Sequence, residues 1–261
     1  MHDATSEAAQ VATDSPAAAD GSGAMFDRIA RRYDRLNRIL SLGMDRRWRR
    51  RAAAALVASA SSKATAAPTQ PHRVLDVATG TGDLALETLS RFPEATLDGI
   101  DPAPQMLAIA REKAARRLVS PERLTLHEGH AEALPFADGT FDGATIAFGI
   151  RNVTDRSASL RELARVVRPG GRVVILELVE PRGYSPVTLG AKLWVHVVVP
   201  RLGAWLSSSR EYRYLQRSIE AFPPPRDFAE MMQREAGLTE VHVRKLAFGS
   251  VALFSATVPE A

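Results

Sequence analysis

The stretch Arg73-Val74-Leu75-Asp76-Val77-Ala78-Thr79-Gly80-Thr81-Gly82-Asp83 constrains this chain more than any other. A short apolar run ends in two glycines one residue apart, and a helical pattern starts at once at Leu84. This predicts a strand, a tight turn and a helix, an arrangement that lets backbone approach a nucleotide-like ligand. Gly80 and Gly82 admit positive φ and carry no Cβ to block that approach. The first amides of the following helix lack intrahelical partners and would point into the crevice. The loop defines a class of ligand sites without choosing among ligands.

The pattern continues downstream. Strand candidates at 73–78, 95–100, 123–128, 141–147 and 171–178 alternate with helix candidates at 83–91, 103–118 and 155–167. Strands separated by helices imply βαβ units and a parallel sheet. Upstream, 26–37 and 45–58 read as two helices around Ser41-Leu42-Gly43, followed by a Ser/Ala/Thr/Pro linker at 59–71. Residues 185–222 give mixed signals. A helix at 226–236 ends at Gly237, a suitable C-terminal cap. The segments 239–246 and 249–257 alternate as an antiparallel edge pair.

The 261 residues are 45% hydrophobic and 25% charged, enough for one sizeable core. The absence of cysteine excludes disulfides, thiolate zinc sites and thiol nucleophiles, and fits a cytoplasmic protein. A net charge of +4 suits nucleic acid, anionic lipid or simply a basic soluble enzyme. No stretch is apolar for long enough to span a bilayer. Residues 1–24 are Ala/Ser/Asp-rich, lack a secretory pattern and are expected to form a disordered tail.

Gly80-x-Gly82-x-x-Ala85 also fits the dinucleotide fingerprint, and Asp101 ends the second strand where a carboxylate would meet a ribose. Both features serve a nicotinamide cofactor or S-adenosylmethionine equally. Asp76 separates them, because a charge inside a buried strand needs a partner and the methionine ammonium of S-adenosylmethionine would supply one. Gly129-His130-Ala131-Glu132-Ala133-Leu134-Pro135-Phe136 resembles the loop bordering adenine in class I methyltransferases. Phe141-Asp142 and Arg168-Pro169-Gly170-Gly171-Arg172 are similar to the same superfamily. The ordered landmarks point to S-adenosylmethionine. The bland alternative is that Asp101 only caps the next helix, with Pro102 at its first position.

A more specific resemblance lies in Tyr33-Asp34-Arg35-Leu36-Asn37-Arg38-Ile39-Leu40-Ser41-Leu42-Gly43-Met44-Asp45-Arg46-Arg47-Trp48. It is similar to the N-terminal signature of the ubiquinone/menaquinone C-methyltransferases. Ala147-Phe148-Gly149-Ile150-Arg151-Asn152-Val153-Thr154, Arg165 to Gly171 leading to Glu177, Tyr212-Arg213-Tyr214-Leu215 with Ser218-Ile219, and Gly249-Ser250-Val251-Ala252 match the same family. The resemblance covers roughly 26–254. Leu36, Asp45 and Ala147 depart from residues common in the family; they touch substrate subtype more than reaction type.

The resemblance implies a class I fold: α/β, with a mostly parallel seven-stranded sheet, helices on both faces and an antiparallel C-terminal edge. Its expected organisation is a tail at 1–24, N-terminal helices and linker at 25–72, and a Rossmann-like domain at 73–261 with a substrate-side insertion at about 185–225. It implies S-adenosylmethionine-dependent C-methylation of a prenylated quinol. Demethylmenaquinol is the expected substrate, because Asp45-Arg46-Arg47-Trp48 looks more like menaquinone-pathway members. The alternative is the benzoquinol of the ubiquinone route, or both. A non-catalytic methyltransferase-like subunit of a quinone-synthesis complex is the rival from another class.

By the same resemblance, Thr81, Asp101, His130, Ala131 and Ala147 would line the cofactor, alongside Asp76, Gly80 and Gly82. Arg151 and Asn152 would face the quinol, where Arg151 could stabilise a developing phenolate. An arginine is a poor base, so proton removal would run through water. The bland alternative for Arg151 is a surface ion pair with Asp155. Tyr33 and Asn37 share one helix face and are read as a lid, with simple helix docking as the alternative. Tyr212 is a further substrate-side candidate. His127 and His130 lack the partners for a metal site, and none is expected. Arginines between Arg28 and Arg51 suggest peripheral contact with anionic membrane, or a solvated helix face. Trp194, Val195 and 197–199 could wall a prenyl channel or pack in the core. No aromatic-interleaved basic module for nucleic acid is visible. The oligomeric state is left open, a homodimer included.

Overall fold

The computed structural model describes residues 22–57, 72–181 and 209–260. In chain order these form α1 (Ser22–Leu40), α2 (Asp45–Ala54), β1 (Arg73–Val77), α3 (Asp83–Arg91), β2 (Thr96–Asp101), α4 (Pro104–Arg116), β3 (Leu124–Glu128) and β4 (Phe141–Ala147). A 3-10 turn (Ile150–Asn152), α5 (Arg156–Val166), β5 (Val167–Leu178), α6 (Ser209–Glu220), α7 (Pro225–Ala236), β6 (Thr239–Leu246) and β7 (Val251–Thr257) follow.

The seven strands form one sheet in the order β3-β2-β1-β4-β5-β7-β6. β1 to β5 pair in parallel, and β7 is antiparallel to both β5 and β6. Central strands covered on both faces read as continuous apolar runs. Side chains alternate between two cores: Leu75, Val77, Val173 and Ile175 meet Leu160 and Leu163 of α5 and Phe228 and Met232 of α7. Val74, Val174 and Leu176 meet Trp48, Ala52 and Ala53 of α2 and Leu84 and Leu89 of α3. The chain leaves β1 toward β2 and β3, whereas β4 leads toward β5. That reversal opens a crevice at the carboxyl ends of β1 and β4, where ligands bind in such sheets.

Several boundaries differ from the sequence expectation. α4 starts at Pro104 with Ala103 as its cap, so Pro102 is not its first residue. Ala103 has no side-chain oxygen to cap with; instead Asp27 of α1 reaches across and accepts from the Gln105 amide at 2.9 Å. β5 starts at Val167, because Val167 pairs with Phe141 before a register shift at Gly143. β7 starts at Val251, because Ala247–Gly249 form a 3-10 turn. α6 occupies the end of the region of mixed signals. Trp194, Val195, 197–199 and the proposed tail, apart from its last residues, lie outside the described residues.

Candidate active site

The glycine turn follows β1 with left-handed backbone at both glycines, φ +55° at Gly80 and +79° at Gly82. Their roles differ. A Cβ on Gly82 would lie 3.0 Å from the Ala110 side chain, so this glycine makes room for α4, not for a ligand. A Cβ on Gly80 would meet nothing nearer than a carbonyl at 4.0 Å, so only Gly80 leaves an open approach.

Asp101 ends β2 beside that turn and is 7% exposed. Its two oxygens accept from the Gly80 amide at 2.8 Å and the Ala103 amide at 2.9 Å. It therefore braces the glycine turn as well as the start of α4. Burial pushes its carboxyl up to about 6, against the opposing pull of the two amides and His130. Each oxygen keeps acceptor capacity for a further donor. A buried, under-compensated carboxylate next to an open glycine suits the vicinal hydroxyls of an adenosine ribose, which donate to it. His130, exposed after β3, lies within electrostatic reach of Asp101. Ala131 is buried in the core beside it.

Asp76, expected to meet a ligand cation, finds two hydroxyl partners within the protein itself. Its oxygens accept from the Thr145 hydroxyl at 2.5 Å and the Thr79 hydroxyl at 2.7 Å. Thr145 sits opposite Asp76 in the β1–β4 register. No ligand cation is needed to make this burial tolerable, although burial still pushes the carboxyl up to about 6.

Across the crevice, Arg151 follows β4 in the 3-10 turn. It is 4% exposed and ion-paired at 2.7 Å with Glu177 of β5, which is 0% exposed. The Arg151 amide also donates to Glu177, at 3.2 Å. This overturns the surface pair with Asp155, which instead caps α5 by accepting from the Ala158 amide at 2.9 Å. Phe148, in left-handed backbone with φ +58°, turns its carbonyl toward the Arg151 guanidinium at 2.6 Å and the Asn152 amide at 3.3 Å. Asn152 in turn accepts from the Tyr214 hydroxyl of α6 at 3.2 Å. Burial pulls the Arg151 pKa down, but Glu177, Tyr33 and Tyr214 outweigh it and hold it above its ordinary value. The guanidinium stays charged, and its Nε is buried without a hydrogen-bond partner among the described residues.

Tyr33 therefore reaches the arginine electrostatically, while its ring packs with Phe26 at 5.9 Å and against Ala30, Ala103 and Met106. Asn37 shares that helix face and is half-buried. Ala147 ends β4 opposite Leu176, with its side chain against the α2 and α3 core. Tyr212 is on α6, and its side chain lies outside the described residues. Glu177 and Tyr214 carry no role in the sequence reading. Glu177 was findable by the rule applied to Asp76, since it ends an otherwise apolar run.

A latch holds α1 over the glycine turn. The Thr81 hydroxyl donates to Asp34 at 2.6 Å, and Lys113 of α4 reaches Asp34 at 2.5 Å, Asp83 at 2.6 Å and Thr81 at 2.8 Å. Beside it, Arg49 of α2 pairs with Asp45 and lies over the Phe148 ring at 5.5 Å. Asp34→Ala should free α1, so that hydrogen exchange of its amides speeds up by roughly 10-fold or more while β1 and β4 keep theirs, the effect of losing charge-assisted bonds of ~1.5–3 kcal/mol. Unchanged protection of α1 would mean that the latch does not hold it.

This sheet order, with β7 antiparallel beside β5, a glycine turn after β1 and a carboxylate ending β2, is that of a class I S-adenosylmethionine-dependent methyltransferase. A solved S-adenosylmethionine-dependent methyltransferase from Thermotoga maritima shares the fold, with a TM-score of 0.58 at 18% identity over 90% of this chain and 99% of that one. The model of the ubiE/COQ5 methyltransferase family matches residues 17–258, and the chain belongs to that family. A demethylmenaquinone methyltransferase of Thermus thermophilus is 48% identical over 88% of this chain and 97% of its own length. The ubiquinone/menaquinone biosynthesis C-methyltransferase UbiE of Syntrophotalea carbinolica is 42% identical over 88% and 91%.

Proposed function

We propose that this chain transfers a methyl group from S-adenosylmethionine to a ring carbon of a prenylated quinol, with demethylmenaquinol as the substrate. The observation that carries this reading is the buried Arg151–Glu177 pair, which fixes a cation just past the carboxyl end of β4, where the sheet order opens the crevice. Kinship with relatives named for demethylmenaquinone methylation supports the substrate class.

When bound, S-adenosylmethionine supplies an electrophilic methyl group on a sulfonium, so the protein's task is alignment and charge placement. Asp101 would hold the ribose, Gly80 would allow close approach, and His130-Ala131 would border the adenine. A quinol carbon becomes nucleophilic when the neighbouring hydroxyl loses its proton. Arg151 favours that phenolate electrostatically; its raised pKa makes it a poor proton acceptor, so the protons leave through water. Asn152, held by Tyr214, and Tyr33 complete the quinol side. We assign Asn37 and Tyr212 to the substrate side, and Thr81 and Ala147 to the cofactor side. We read 73–261 as the methyltransferase domain and 25–72 as the helices that close its site.

Methyl-labelled cofactor incubated with short-chain demethylmenaquinol, the corresponding methoxy-benzoquinol and bulk RNA should label the first acceptor preferentially. Preferential labelling of the benzoquinol would move the enzyme to the ubiquinone route. Labelling of RNA alone, or of nothing while cofactor still binds, would overturn the reading. Because the substrate carries a prenyl chain, we also place the working enzyme at a membrane surface; among the described residues no helix is long and apolar enough to cross one.

A further inference from the structure

Helix α1 has two unlike faces. Phe26, Ala30, Tyr33 and Asn37 recur at helical spacing on the inner face, and Asp27 and Asp34 are tied down by α4 and the glycine turn. The opposite stripe is Arg28, Arg31, Arg32, Arg35 and Arg38, all exposed. The stripe runs into Ile39, 41% exposed, and Leu42, 64% exposed. Arg46, Arg47 and Arg51 continue the exposed basic surface on α2.

The charge is concentrated here. Residues 26–54 hold ten arginines against three aspartates, a local +7 in a chain of total +4, so the rest of the molecule is net negative. The apolar tip is built firmly. The Leu42 amide donates to the Ile39 carbonyl at 3.1 Å, and the Gly43 amide to the Arg38 carbonyl at 2.8 Å. Leu42 is nevertheless in left-handed backbone, φ +52°, which an L side chain rarely adopts. A chain seeking only a soluble turn would place glycine or asparagine there.

We infer that the outer face of α1 and the α1–α2 turn form a docking surface for an anionic lipid bilayer, with Ile39 and Leu42 entering the acyl boundary and the arginines meeting headgroup phosphates. Charge complementarity sets the sign of the partner, and the apolar tip inside the cationic stripe selects lipid over nucleic acid. A phosphate backbone gives Leu42 nothing to contact. On α1 and α2 the described aromatic residues that could stack on bases are placed inward, with Trp48 buried and Phe26 and Tyr33 packed against α4. The inference draws its biological sense from the quinol reading: a helix that covers the site with one face and meets lipid with the other leaves a prenyl quinol about one helix diameter, ~10 Å, to travel.

The test uses the full chain without substrate. Co-sedimentation with vesicles of phosphatidylcholine, with and without phosphatidylglycerol, should show binding only to the anionic vesicles, weakening as salt rises. Arg35→Gln with Arg38→Gln should weaken partition by about fivefold per arginine. Ile39→Ser with Leu42→Ser should remove the part of the binding that survives high salt, while turnover of a water-soluble short-chain quinol stays at wild-type level. Equal binding to neutral and anionic vesicles, or wild-type partition by both variants, would overturn the inference. So would retention on RNA without retention on vesicles, or a dimer whose formation depends on Leu42. Loss of vesicle binding with short-chain turnover intact would leave the quinol reading standing; vesicle binding without turnover of any quinol would do the reverse.

Discussion

Arg151→Gln combined with Glu177→Gln is expected to fold better than either single variant, yet to remain slow in methyl transfer. Each single change leaves one buried charge without its partner, which costs about 3–5 kcal/mol. The double change removes both charges. It keeps most of the shape and loses about 1 kcal/mol for imperfect bonds to the Phe148 carbonyl and the Leu178 amide. Activity follows a different rule, because the fixed cation is what favours the phenolate. Losing one such group lowers turnover by about 10²–10³-fold. Urea unfolding of the four proteins in the cycle, with cofactor affinity by calorimetry and single-turnover methyl transfer, separates the two effects. Cofactor affinity should change little. A double variant with wild-type turnover would reduce the pair to a structural role.

Cofactor affinity should fall with acidification through pH about 6. Asp101 titrates there in the free protein because its burial, reinforced by the Asp27 carboxylate, outweighs the two amides and His130. Ribose hydroxyls favour the carboxylate, so binding expels the proton. Affinity should weaken by about tenfold per pH unit below that point until the bound form also protonates. Asp101→Asn tests the assignment: an amide offers one acceptor oxygen where the Gly80 and Ala103 amides need two. It should weaken binding by about 10–100-fold and flatten the pH dependence. An unflattened profile would point to another group. Stability of the cofactor-free protein should move the opposite way. Asp76 and Asp101 both rise from 3.8 to about 6, so the native state binds more protons than the unfolded chain between those values. Their contribution is fully present below 3.8 and lost as pH rises through about 6. Melting temperature should therefore climb on mild acidification, then drop once Asp83, Asp142 and Glu162, all held below their ordinary values, begin to protonate.

The candidate site was legible where its logic is local. Gly80 and Asp101 are visible because a strand, a tight turn and a helix start leave marks within a few residues of one another; Gly82 carries the same mark, yet its missing Cβ serves α4 packing. The strand candidates met the sheet to within a few residues for the same reason, since apolar runs bounded by turn residues record burial directly. The helix α6 was less readable. Its buried positions Tyr214, Ser218 and Ile219 mix polar and apolar types, so the periodicity is weak against the Ser- and Trp-containing stretch before it.

Asp76 marks the border between the two kinds of information. That a charge in a buried strand needs a partner follows from the sequence and dielectric physics alone. Which group answers it follows from β4 lying beside β1 in a register that sets Thr145 opposite, and no local pattern records that register. The same holds for Arg151 with Glu177, 26 residues apart and joined only because β4 and β5 are neighbours, and for Asp34 with Lys113, joined only because α1 lies across α4. The strand-and-helix alternation, the glycine turn, the carboxylate at the end of β2 and the basic helices follow from residue order alone, because each depends on short-range sterics or local charge density. That the arginine after β4 is a buried, paired and charged group and not a surface one comes from the packing, because burial and pairing are set by which strands and helices become neighbours.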